Sequence, residues 1–119
     1  MRLSQVIVFA KDMSKMRAFY RDVLGLQPTD EAKPDEWLRF DAGGAALALH
    51  AIPPHIDVAV GKPRTETAIK FTFHAGDVTA ERERLVARGA RMGEVRQFGA
   101  LALCDGTDPE GNVFQISNR

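Results

Sequence analysis

Cysteine is almost missing from this chain of 119 residues: Cys104 stands alone, so no internal disulfide can form. A chain without disulfides fits a reducing compartment, and the sequence is read as cytoplasmic. Long apolar runs are missing too, which excludes a membrane-spanning helix. The start, Met1-Arg2-Leu3-Ser4-Gln5, lacks the apolar segment of a secretory leader. An excess of one charge is also lacking: 16 basic residues face 16 acidic ones. That balance argues against nucleic acid or an anionic membrane as the partner. What is present is 45% apolar and 27% charged residues, the mixture of a globular domain.

The most informative stretch is Asp108-Pro109-Glu110-Gly111-Asn112-Val113-Phe114-Gln115-Ile116. Proline fixes φ, glycine and asparagine tolerate positive φ, and an alternating run follows: a turn feeding a strand. A weaker copy lies upstream, where Asp41-Ala42-Gly43-Gly44 leads into 45–50. Asp41 matches Asp108, Gly44 matches Gly111 and Ala48 matches Gln115 at one offset. The chain therefore reads as a duplicated motif.

Residues 3–10 predict a strand with Val6 and Val8 on one face and Gln5, Ile7 and Phe9 on the other. Asp12, with Ser14 as the alternative, caps a helix whose stripe is Met16, Phe19, Tyr20, Val23 and Leu24, and Gly25 stops it. Residues 28–34 are polar and read as a loop. Residues 36–41 and 45–51 read as strands, with Trp37 and Arg39 sharing a face. Residues 53–67, rich in proline, read as a linker with room for one short strand near 57–60. The pattern then restarts. Ile69, Phe71 and Phe73 alternate with Lys70, Thr72 and His74; Asp77 caps a helix over 79–88 with Leu85 and Val86 facing inward; Gly89 stops it. Strands follow over 93–98, 101–105 and 112–117. The expected organisation is one domain built of a module over 1–52, the linker, and a module over 68–119.

The β-α-β-β duplication, the helix end Phe19-Tyr20-Arg21-Asp22-Val23-Leu24-Gly25 and the turn Asp108-Pro109-Glu110-Gly111-Asn112 together resemble the vicinal-oxygen-chelate superfamily. That superfamily includes glyoxalase I, extradiol dioxygenases and the fosfomycin- and bleomycin-resistance proteins. The resemblance implies an α+β fold: two β-α-β-β modules forming a curved open-cleft sheet, the glyoxalase/bleomycin-resistance/dioxygenase fold. It also implies a homodimer, since a C2 partner would cover the open edges.

Metal-bearing members place ligands on the first and last strands of each module. The matching positions here are Gln5, Ala48, Lys70 and Gln115. None carries an imidazole or a carboxylate, and Lys70 would repel a cation. No metal or other cofactor is expected. His50, two residues beyond Ala48, could take over a corner or simply line the cleft. His55 and His74 read as exposed, and Cys104 as a small buried hydrophobe.

Two classes of function stay open. In the first, a small molecule is bound or sequestered without metal by Gln5, Trp37, Arg39, His50, Lys70 and Gln115. In the second, the chain is an enzyme: a glyoxalase-like lyase, isomerase or dioxygenase with a displaced metal site, or a metal-independent enzyme using Lys70 as base or Schiff-base amine.

Overall fold

The computed structural model describes residues 1–57 and 68–119, and divides the chain into two compact units, Met1–Val60 and Gly61–Arg119. Each is described by itself. Part of the linker, and the short strand expected near 57–60 save for Asp57, lie outside the described residues.

The first unit holds β1 (Gln5–Ala10), α1 (Met13–Ala18), a π-helical turn (Phe19–Val23), β2 (Gln27–Lys33), β3 (Trp37–Asp41) and β4 (Ala46–Ala51). The strands form one mixed sheet in the order β1-β4-β3-β2, with β1 and β4 parallel. Asp12 caps α1 as expected, its side chain accepting from the Lys15 N–H at 3.0 Å. The helix does not run regularly to Leu24. Beyond Ala18 it widens, and the Leu24 N–H donates to the Phe19 carbonyl five residues back. Gly25, at φ +80°, then ends it in a conformation that favours glycine.

Of residues 28–34 only Pro34 lies in a turn. Residues 28–33 belong to β2, an antiparallel partner of β3 with two register shifts. The polar composition misled because β2 lies at the end of the strand order and most of its residues are exposed. Proline is tolerated on an edge, where the missing N–H needs no partner. The module is thus β-α-β-β-β rather than β-α-β-β.

The second unit repeats the plan with β5 (Phe71–His74), α2 (Val78–Ala87), β6 (Arg91–Met92), β7 (Arg96–Phe98), β8 (Leu101–Thr107) and β9 (Val113–Ser117). The order is β5-β9-β8-β6, with β7 also paired to β8. Of the strand expected over 93–98 only 96–98 forms, as β7, and the short β6 precedes it at 91–92. At the break the Gly93 N–H donates to the Asp105 carbonyl at 2.8 Å, and Arg82 Nε of α2 donates to the Gly93 carbonyl at 2.6 Å. Asp77 caps α2 through the Ala80 N–H at 2.9 Å.

Alternation settles which residues meet the helices. In the first unit Val8, Ala10, Leu38, Phe40, Leu47 and Leu49 are buried with Met13, Met16, Phe19 and Tyr20 of the helical segment. Tyr20 and Phe40 bring their rings to 6.3 Å. In the second unit Cys104, Phe114 and Ile116 are buried with Val78 and Leu85. Each fully buried large apolar side chain contributes about 1.5–3 kcal/mol. Val6, Phe71 and Phe73 lie on the expected face but are only half-buried. Val86, expected to face inward, is exposed, and Val78 is buried instead.

The repeated turns differ in strength. Asp108 is fully buried; its Oδ1 accepts from the Glu110 and Asn112 N–H groups, both at 2.9 Å, and its Oδ2 from Asn112 Nδ2 at 2.8 Å. Asp41, exposed, accepts one such bond, from the Gly43 N–H at 2.9 Å.

Candidate functional site

The face of each sheet turned away from its helix carries the candidate residues. In the first unit, register places Phe9 beside His50 and His50 beside Trp37, so the three form one row across β1, β4 and β3. The Phe9 and His50 rings stack at 5.4 Å with 27° between planes, and Trp37 meets His50 edge-on at 5.5 Å and 75°. The next row is Ile7, Ala48 and Arg39, and the one after it Gln5, Ala46 and Asp41. Phe9 is 46% exposed and Ile7 42%, while Ala48 is fully buried. The result is an aromatic strip beside a shallow apolar floor, with a guanidinium at its edge. Offset and edge-to-face contacts are the favoured geometries for such rings, and the strip offers a flat molecule a π surface.

The second unit has different chemistry at corresponding positions. Its row is Thr72, Gln115 and Asp105. Asp105 is the hub. Its Oδ2 takes Lys70 Nζ and Arg96 Nη2, each at 2.9 Å, and its Oδ1 accepts from Gln115 Nε2 at 2.8 Å. Burial pushes the Asp105 carboxyl up, but the bonds from Lys70 and Gln115 and the charges of Lys70 and Arg96 outweigh it and hold the group below its ordinary range. Lys70 lies just before β5 with its ammonium engaged, and Gln115 is buried with its amide committed to the same carboxylate. Among the described residues no cluster of three or more His, Cys, Asp or Glu side chains could hold a metal ion.

A model of the glyoxalase-like domain matches residues 5–117. The chain belongs to that family. No curated protein sequence matches significantly. Solved structures share the fold, which is the α+β glyoxalase/bleomycin-resistance fold. UcmS2 superposes with a TM-score of 0.81 at 20% identity, over 100% of this chain and 98% of that one. A lactoylglutathione lyase from Agrobacterium tumefaciens gives 0.73 at 22% identity, over 97% and 91%. TnmS3, an antibiotic binding protein from a Streptomyces species, gives 0.74 at 19% identity, over 98% and 93%.

Within this glyoxalase-like chain, the structure brings together Trp37 and His50 on one unit, with Arg39 one row away, and Lys70 and Gln115 on the other. Gln5 begins β1, half-buried, in the outermost of the three rows. His74 and His55 are exposed. Burial pushes the Cys104 thiol up, and its Sγ lies 3.4 Å from the Gly93 carbonyl. That is a structural thiol. Sequence reasoning assigned no role to Phe9, Asp105 or Arg96. A signal for Asp105 was available: a carboxylate interrupting the apolar run Leu101-Ala102-Leu103-Cys104 needs a partner. Phe9 offered none, because an outward aromatic on a strand is ordinary until its neighbours across the sheet are known.

Proposed function

We propose that this protein binds a small, flat organic molecule without metal, as a sequestering or carrier protein rather than an enzyme. The observation that carries the reading is the row Phe9–His50–Trp37, three rings in contact across three strands on a face its own helix does not cover. The antibiotic-binding description of one structural relative is consistent with it, though that likeness extends only to the fold.

The donor set at the positions matching the family's metal ligands does not fit a divalent ion. Ala48 has no donor atom. Gln5 and Gln115 offer neutral amides. Lys70 brings a positive charge already bound to Asp105. We therefore derive no step through a metal, and we assign Lys70 no catalytic step because Asp105 engages its ammonium. We further propose a homodimer, since Leu3 and Ile7 present apolar surface, outside the aromatic row, that a second copy can cover; light scattering giving only monomer at micromolar concentration would exclude it.

The test of the metal-free reading is calorimetric titration of purified, chelator-treated protein with nickel, zinc and manganese. No binding is expected at micromolar metal. Stoichiometric binding would overturn the reading.

A further inference from the structure

Two rows along the sheet from the aromatic one, at the level of Ala46 and Asp41, the first unit contains a recess of about 270 Å³ that Arg39 of the intervening row also lines. Arg2, Ser4, Thr29, Arg39 and Asp41 line it, and the Gly43-Gly44 turn closes one side. Two guanidinium groups and one carboxylate give this lining a net charge of one positive. Asp41 Oδ1 accepts from the Gly43 N–H at 2.9 Å, and its carboxylate keeps its charge in the recess. Among the described residues neither Arg2 nor Arg39 has an ion-pair partner. Other strand-borne cations are engaged: Lys33 pairs with Glu36, Arg96 with Asp105, and Arg91 donates to the Asp108 carbonyl at 3.2 Å. A half-buried arginine left unpaired at the lip of a polar recess is an anion-binding arrangement, since the guanidinium fork matches carboxylate and phosphate oxygens.

Arg39 also sits on the same strand face as Trp37, two residues along β3. Two residues of strand span about 7 Å. One molecule can therefore lie on the rings and reach the guanidinium.

We infer that the ligand is a planar aromatic molecule carrying a carboxylate or similar anionic arm, the ring on Phe9–His50–Trp37 and the arm in the recess against Arg39. This rests on the binding function proposed above, and adds the charge of the ligand and the place of its arm. Hydroxyls of Ser4 and Thr29 are at hand for the remaining oxygens, though Thr29 Oγ1 already donates to the Arg39 carbonyl at 3.2 Å.

The probe pair is naphthylpropionate and its neutral amide, which differ only in the arm. Trp37 is the sole tryptophan, so its fluorescence reports occupancy of the strip directly. Wild-type protein is expected to bind the acid about tenfold more tightly than the amide, the effect of one charge-assisted hydrogen bond. Arg39→Ala should abolish that preference by weakening the acid much more than the amide, whose carbonyl loses only a neutral acceptor's bond, while Arg39→Lys retains part of it. Trp37→Ala, followed by calorimetry, should weaken both compounds alike. Thermal unfolding of each variant checks that the fold is kept. Equal wild-type affinities, or a preference that survives Arg39→Ala, would overturn the anionic arm; amide binding that still depends on Trp37 would then leave the flat-ligand reading standing. Failure of both compounds to quench Trp37 at millimolar concentration would overturn the two together.

Discussion

The two modules share one strand order and one register, and they have diverged at the same ladder positions. Where β3 and β4 oppose Arg39 and Ala48, β8 and β9 oppose Asp105 and Gln115. Where the first module aligns Phe9, His50 and Trp37, the second aligns His74, Ser117 and Leu103. The first face is aromatic and leaves its cation unpaired; the second ties two cations and an amide to one carboxylate. The difference teaches where to look for the ligand. A charge neutralised within its own module has little left to offer a solute, whereas an unpaired guanidinium beside stacked rings does.

The helix-facing layers diverge in a compensating way. Phe40 opposes Leu47 in the first module, and Gly106 opposes Phe114 in the second. A Cβ at Gly106 would stand 2.6 Å from Phe114 Cζ and 2.5 Å from Met92 Sδ. The large ring has moved from one strand of the pair to the other, and glycine makes room for it.

The comparison can be broken most severely at the turns. Asp108→Ala removes a buried carboxylate that accepts three hydrogen bonds, and should cost about 3 kcal/mol in denaturant unfolding. Asp41→Ala, at the exposed copy, should cost about 0.5 kcal/mol. Equal costs would mean that the turns are equivalent after all.

Gly106→Ala should destabilise by about 2 kcal/mol through overpacking, and Phe114→Leu in the same chain should recover part of it. No coupling between the two would remove the steric account.

Between the open faces, Trp37→Ala should lower affinity for a flat aromatic probe about tenfold, the loss of one stacking partner. His74→Ala, at the position matching Phe9, should leave it unchanged. Calorimetry that showed the opposite would move the site to the second module.

The smallest effect concerns acid. Asp105 is held below its ordinary pKa in the folded chain, so its pairing stabilises above the unfolded value, about pH 4. That stabilisation is lost as pH falls through the folded value. Because Lys70 and Asp105 side chains are 36% and 32% exposed, solvent screens the pair, and about 0.5 kcal/mol is expected. Denaturant curves for wild type and Asp105→Asn should therefore differ near neutrality and converge below pH 4. A difference that persists unchanged into acid would show that the carboxylate's charge is not what the neighbouring groups hold.

Local chemistry by itself determined most of the fold. Asp12 and Asp77 announced two caps, Gly25 and Gly89 two stops, and Asp108 to Asn112 a turn, because each of these depends on hydrogen bonds or φ values within a few residues. Two-residue alternation likewise assigned Trp37 and Arg39 to one face and Leu38 and Phe40 to the other. What the chain order left undecided was everything set by cross-strand pairing. The strand β2 was hidden because an exposed edge does not require apolar residues. The partners of Lys70 and Gln115 were hidden because Asp105 reaches them from 35 and 10 residues away in sequence. The aromatic row needed Phe9, His50 and Trp37 to fall at one level of three strands, and only the tertiary register of β1, β4 and β3 put them there.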